Sequence, residues 1–186
     1  MLILASQSPR RKQLLAQMGL EFDVHSSDVD EIVSGEPGNC VAKLACRKAE
    51  AVAVRYPNDW VLGADTLVFL DDIPMGKPKD TEEAFLMLKQ LSGKKHQVMT
   101  GVCLLNKSKD VCLKETAVTD VYFACLSDRE IRDYIATGEP MDKAGAYAIQ
   151  GRAGMYVEKI CGSHSNVIGL PMSTVREMLK KVGIAV

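Results

Sequence analysis

One carboxylate, Asp65, interrupts the apolar run VLGADTLVFL at residues 61–70. A charge in such a run is costly unless it meets a cation, a metal or hydrogen bonds. Asp65 is therefore a candidate catalytic base or Mg²⁺ ligand; the plainer alternative is an Asp that stabilises a turn just past a strand. The apolar residues resume directly after Thr66, which favours the functional reading. Gly63-Ala64 lets a second backbone or a ligand come close. A second group sits in SQSPRRKQLL at residues 6–15. Ser8 reads as a helix N-cap with Pro9 at the first helical position. Arg10 and Arg11 then occupy a first turn whose free N–H groups and dipole already make the field positive. Ser8, Arg10 and Arg11 suit a phosphate at a strand-to-helix junction. The alternative is two arginines turned to solvent or paired with surface acids.

Further candidates are weaker one by one. Met75-Gly76-Lys77-Pro78 is a tight loop that would hold one ammonium, or a plain turn. Lys48 stands in an Ala-rich segment and is unremarkable alone. In DKAGAYAIQG, residues 142–151, the small residues Ala144, Gly145, Ala146, Ala148 and Gly151 leave room for a flat ligand. Tyr147 would pack on that ligand, and the Gln150 amide would match the alternating donor and acceptor edge of uracil or thymine. A glycine-rich surface loop with a structural Tyr is the alternative. Asp28, Asp30 and Glu31 crowd one loop and suit either a hard divalent cation or solvent. His96 reads as a strand or core histidine. Nothing matches a zinc site, a Ser-His-Asp set, a P-loop or a dinucleotide fingerprint.

The elements that must position these residues follow from periodicity and breakers. Strands are expected at residues 2–5, 22–25, 60–70, 96–105, 111–123 and 155–160. Helices are expected from Ser8 onward, over 40–55, over 81–91, from the Ser127 cap to about Thr137-Gly138, and over 171–182. Residues 26–39 and 142–154 read as loops. Strands and helices alternate early and a hairpin sits in the middle, which predicts an α/β fold with a mixed sheet and one domain over 1–186. The length of 186 residues suffices for one substantial core. A net charge of −1 gives no global pull toward nucleic acid or an anionic membrane. No run approaches the ~20 apolar residues of a membrane span, and the short apolar start before Ser6 does not read as a signal peptide. The six cysteines, Cys40, Cys46, Cys103, Cys112, Cys125 and Cys161, include no C-x-x-C pair. They read as small buried hydrophobes in a reducing compartment rather than a zinc or disulfide framework. A cytoplasmic location is the expectation.

Taken together, SxSPRR at 6–11, GADT at 63–66, GKP at 76–78, SGKKHQVMTGV at 92–102 and DKAGAYAIQG at 142–151 resemble the Maf family. That family comprises nucleoside triphosphate pyrophosphatases first known as septum-formation inhibitors, and the last motif looks like its dTTP/UTP pyrophosphatase branch. The resemblance implies a mixed sheet flanked by helices, two lobes around a cleft, similar to inosine triphosphate pyrophosphatases. It implies cleavage between the α- and β-phosphates with a divalent cation, Mg²⁺ or Mn²⁺. It places the catalytic acid residue on Asp65, base selection on Arg11, Thr66 and Gln150, and phosphate contacts on Ser8, Arg10, Lys48 and Lys77. The metal falls to Asp65 and Glu31. Gln7 and Ala148 depart from the family pattern, and Ala148 adds a methyl near the expected base pocket. The expected partners are a nucleoside triphosphate and, by analogy, a second copy in a homodimer, with neither nucleic acid nor membrane. The rival readings are a nucleotide-binding division regulator and a pyrophosphatase preferring modified nucleotides or CTP.

Overall fold

The computed structural model describes residues 1–27, 29 and 35–186. Among the described residues, seven strands and six helices follow one another as β1 (Leu2–Leu4), α1 (Pro9–Gln17), β2 (Asp23–Val24), α2 (Pro37–Ala53), β3 (Trp60–Leu70), β4 (Ile73–Met75), α3 (Thr81–Leu91), β5 (Lys95–Asn106), β6 (Val111–Phe123), α4 (Asp128–Ile135), β7 (Val157–Cys161), α5 (His164–Ile168) and α6 (Met172–Lys181). Short 3₁₀ turns occupy Glu139–Asp142, Ala144–Ala146 and Arg152–Tyr156, within and beside the stretch expected to be a loop. The local chemistry explains most boundaries. Ser8 Oγ accepts the Arg11 N–H and Pro9 opens α1. Asp80 caps α3, and Ser127 with Glu130 forms a capping box on α4. Helix α2 starts at Pro37, three residues before the apolar pattern begins, because proline suits the first helical turn.

The strands form one mixed sheet in the order β2-β1-β3-β5-β6-β7, with β4 pairing on β3. β1 runs parallel to both neighbours, with Ile3 opposite Asp23 and Val61. β4 is antiparallel to β3, Val68 facing Met75, and β7 is antiparallel to β6 with an irregularity at Tyr122/Phe123. A β-X-β unit of β1, α1 and β2 and the return through α2 to β3 need parallel strands covered on both faces. The nearly unbroken burial of β3 is what such coverage requires.

Packing divides the chain into two compact units. The first comprises Met1–Thr66, Thr100–Ala117 and Gly169–Val186. Its core joins Ile3, Ala5, Ala45, Ala49, Val52, Val61 and Leu105. Helix α2 lies directly on the sheet: a Cβ at Gly63 would come 2.2 Å from the Ala45 carbonyl oxygen, and one at Gly101 would come 2.2 Å from that of Val41. The close approach anticipated at Gly63 is thus made by helix backbone. Cys46, Cys103 and Cys112 bring three sulfurs within 4.8 Å of one another here. A hydrogen bond with Cys103 lowers the Cys46 thiol to about 7, helped by Lys114 and opposed by burial, while Cys103 and Cys112 are raised. The expectation of uniformly buried cysteines holds for Cys40, Cys46 and Cys103 and fails for Cys112, Cys125 and Cys161, which are exposed.

The second unit comprises Leu67–Met99 and Val118–Ile168. Leu88, Leu91, Val121, Phe123, Ile131, Tyr134 and Tyr147 build its core. Each fully buried large apolar side chain contributes about 1.5–3 kcal/mol relative to exposure. His96 is buried on β5, as expected for a core histidine. Its Nε2 meets the Tyr147 hydroxyl at 2.7 Å, and burial pushes its pKa down to about 4.

Candidate active site

Open α/β sheets bind ligands at the carboxyl ends of strands where successive connections leave in opposite directions. β1 connects to β2 on one side, whereas beyond β3 the sheet grows toward β5 on the other. The switch therefore falls between β1 and β3. β1 stops at Leu4, opposite Leu62, with one further bond from the Ala5 N–H to the Leu62 carbonyl. The chain then passes through Ser6 to Ser8 into α1, while β3 continues through Asp65 and Thr66. All these residues belong to the first unit.

Successive strand residues face opposite sides of a sheet, and the two residues after Ala64 use both. Asp65 shares the side of Gly63, where α2 lies. Lys48, one turn beyond Ala45 on that helix, places Nζ 2.6 Å from Asp65 Oδ1. The pair is interior, its side chains 10% and 8% exposed. The cation that Asp65 requires is therefore supplied by the chain itself. An ammonium carries three N–H donors, and one of them is directed at this carboxylate.

Thr66, on the other side, meets Arg11. The Arg11 guanidinium donates from Nε to the Gly169 carbonyl at 2.8 Å, from Nη1 to Ser6 Oγ at 3.3 Å and from Nη2 to Thr66 Oγ1 at 3.0 Å. Thr66 Oγ1 also shares a hydrogen bond with Thr100 Oγ1 at 2.9 Å. Ser6 Oγ accepts the Ser8 N–H at 3.2 Å. This network answers part of the puzzle of two cations in one helical first turn. Arg11 is held across the turn by three neutral oxygens, and Arg10 remains half-buried at the α1 start. Sequence reasoning brought Arg11 and Thr66 forward but missed Ser6, Thr100 and the Gly169 carbonyl. Thr100 carried a usable signal, being a polar residue in an apolar strand just before a glycine. Gly169 carried none.

Lys77 and Gln150 belong to the second unit, and both are exposed. The loop bearing Gln150 is firmly built. Gly145 has φ +67°, its N–H bonds to the Gly76 carbonyl at 3.0 Å, and a Cβ there would meet Val68 at 2.9 Å. This ties the 142–151 loop to the Met75-Gly76-Lys77-Pro78 loop. Tyr134 donates to Glu139 Oε1 at 2.8 Å, and Glu139 Oε2 accepts the Arg152 N–H at 3.1 Å. Tyr147 is corrected from a ligand-stacking ring to a core residue: it is buried, bonded to His96 and edge-on to Phe123 at 4.7 Å.

Glu31, Asp28 and Asp30 lie outside the described residues. Among the described residues Asp65 is the carboxylate at the β1/β3 switch. A hard oxygen donor fits Mg²⁺ or Mn²⁺, since such ions often bind through one or two carboxylates plus substrate phosphates.

Residues 1–182 match the family model described as Maf-like protein. A protein of Geobacillus sp. (strain WCH70) named dTTP/UTP pyrophosphatase is 52% identical over 98% of each chain. One of the same name from Geobacter metallireducens is 50% identical over 98% of this chain and 96% of its own. Among solved structures, the Staphylococcus aureus Ham1 protein aligns with a TM-score of 0.54 at 15% identity, covering 97% of this chain and 98% of that one. This last likeness is one of fold, and it agrees with the mixed sheet described above. No helix among the described residues is long and apolar enough to cross a membrane.

Proposed function

We propose that this chain, which belongs to the Maf-like protein family, hydrolyses dTTP and UTP to the nucleoside monophosphate and pyrophosphate. The observation that carries the reading is the near-full-length identity to relatives of that name. The buried Lys48–Asp65 pair at the sheet's switch point supplies it with chemistry.

Water attacks the α-phosphorus, the α–β anhydride bond breaks, and pyrophosphate leaves with the electron pair. Asp65 takes the proton from the attacking water. Lys48 orients that carboxylate and, with Ser8, Arg10 and Lys77, supplies donors and charge for the phosphates. A divalent cation on Asp65, with Glu31 as a second ligand, would supply Lewis-acid polarisation of the phosphoryl group. Arg11, Thr66 and Gln150 select the pyrimidine, and the rigid Arg11 network sets where that contact is offered. A cytoplasmic, homodimeric enzyme is part of the same reading by family analogy.

Product analysis tests it. The protein is incubated with Mg²⁺ or Mn²⁺ and each common and modified triphosphate, and pyrophosphate and orthophosphate are assayed separately. Pyrophosphate from dTTP and UTP well ahead of purines is expected, and Asp65→Asn should lose turnover while retaining nucleotide binding. Orthophosphate without pyrophosphate would overturn the cleavage position. A modified purine as best substrate would overturn the base pocket. No hydrolysis with either metal would favour a binding regulator.

A further inference from the structure

A second constellation of ligating atoms lies in the first unit, apart from the Lys48–Asp65 pair. Cys46 comes from α2, Cys103 from β5 and Cys112 from β6. Their sulfurs all lie within 4.8 Å of one another, and Cys103 and Cys112 are 3.7 Å apart. An ion about 2.3 Å from each of three thiolates separates the sulfurs by about 3.8–4.0 Å in tetrahedral or trigonal geometry. The Cys103–Cys112 spacing lies within about 0.1 Å of that range, and the remaining separations need at most about 1 Å of closure. Two thiols are buried and Cys112 is exposed, so an ion has a route in and a solvent molecule can fill a fourth position. From this we infer that Cys46, Cys103 and Cys112 form a binding site for a soft, thiophilic metal ion such as Zn²⁺, distinct from the hard-cation site at Asp65.

The donor types set the ion class. Three sulfurs select zinc, cadmium or Cu(I) and disfavour Mg²⁺ and Mn²⁺, which prefer oxygen. Three thiolates with a divalent ion leave one negative charge. The Lys114 charge acts on Cys46 in the sense that offsets it, and the Glu50 charge acts in the opposite sense. Helix α2 is distant in the chain from the consecutive, paired strands β5 and β6, so the ion would tie a helix to that strand pair.

The test uses the full chain, reduced with a phosphine and freed of metal, in a Cys125→Ser/Cys161→Ser background that removes the other exposed thiols. Cd²⁺ is titrated against a competing chelator while the ultraviolet thiolate-to-cadmium charge-transfer band is followed. One equivalent of Cd²⁺ is expected to produce the band, Zn²⁺ to abolish it by displacement, and either ion to raise the melting temperature. Adding Cys112→Ser should weaken binding by about tenfold or more and remove the melting shift. Because Cys112 is exposed, that variant should fold, and circular dichroism checks it; Cys112→Ala serves as a second version. A band that is absent from the background protein, or unchanged in both Cys112 variants, would overturn the proposal.

Discussion

Replacing Lys48 by Met tests the site where fold and chemistry meet. The substitution keeps most of the stem's volume and removes the ammonium 2.6 Å from Asp65 Oδ1. Exposure decides the magnitude. A solvated surface pair contributes about 0–1 kcal/mol, whereas removing one partner of an interior pair costs about 3–5 kcal/mol because the other charge is left buried. At 10% and 8% side-chain exposure the Lys48–Asp65 pair is of the second kind. With a urea slope of about 2 kcal/mol per molar, the midpoint should fall by about 1.5–2.5 M. Urea unfolding at neutral pH, followed by circular dichroism, reads this directly. The double variant Lys48→Met/Asp65→Leu removes both charges and should recover most of the loss, a non-additivity expected of groups in contact. A midpoint drop below about 0.5 M for Lys48→Met, or strictly additive single costs, would refute the interior ion pair.

Two other measurements probe the supports. Gly63→Ala would place a methyl 2.2 Å from the Ala45 carbonyl oxygen, a backbone atom that moves only with the helix. It should cost about 1–3 kcal/mol or more and depress turnover further by shifting Lys48, so an unchanged melting curve would contradict the packing of α2 on β3. His96 gives a pH signature, because burial holds its pKa at about 4 instead of 6.5. As pH falls through 6.5 the unfolded chain takes the proton first, so stability rises with pH across this window. The group accounts for a loss of about 3 kcal/mol between pH 7 and pH 4. His96→Gln should flatten the urea midpoint against pH by that amount, and parallel wild-type and variant curves would rule it out.

Local chemistry explains which parts were legible in the sequence. The Ser8-Pro9 start of α1, the strand around Asp65 and the Ser127 cap of α4 each rest on contacts within a few residues, and each stands where expected. The mixed sheet was legible for the same reason, through alternating apolar runs and breakers. What could not be read is carried by distant partners. Nothing in the sequence announces that the Gly169 carbonyl receives Arg11, that Tyr147 turns inward to His96, or that three cysteines converge. Tyr147 shows the limit well: small neighbours suggested room for a ligand, but the ring is taken up by His96 and Phe123 in the core while Gly145 pins the loop to Gly76 and Val68.

Helix α2 explains why the first unit holds these features together. Ala45 and Ala49, one turn apart, press on Gly63. At about 100° per residue, Cys46 stands about 100° to one side of Ala45 and Lys48 about 60° to the other. The stripe that fixes the helix on the sheet therefore directs Lys48 to Asp65 on one flank and Cys46 to Cys103 and Cys112 on the other. Neither set of contacts can form unless the helix lies close, and that closeness exists because residues 63 and 101 lack side chains. An ion on the three sulfurs would thus brace the same helix that the ion pair braces from the opposite flank. Its effect should be felt in the melting of the whole unit, beyond the immediate neighbourhood of the thiols.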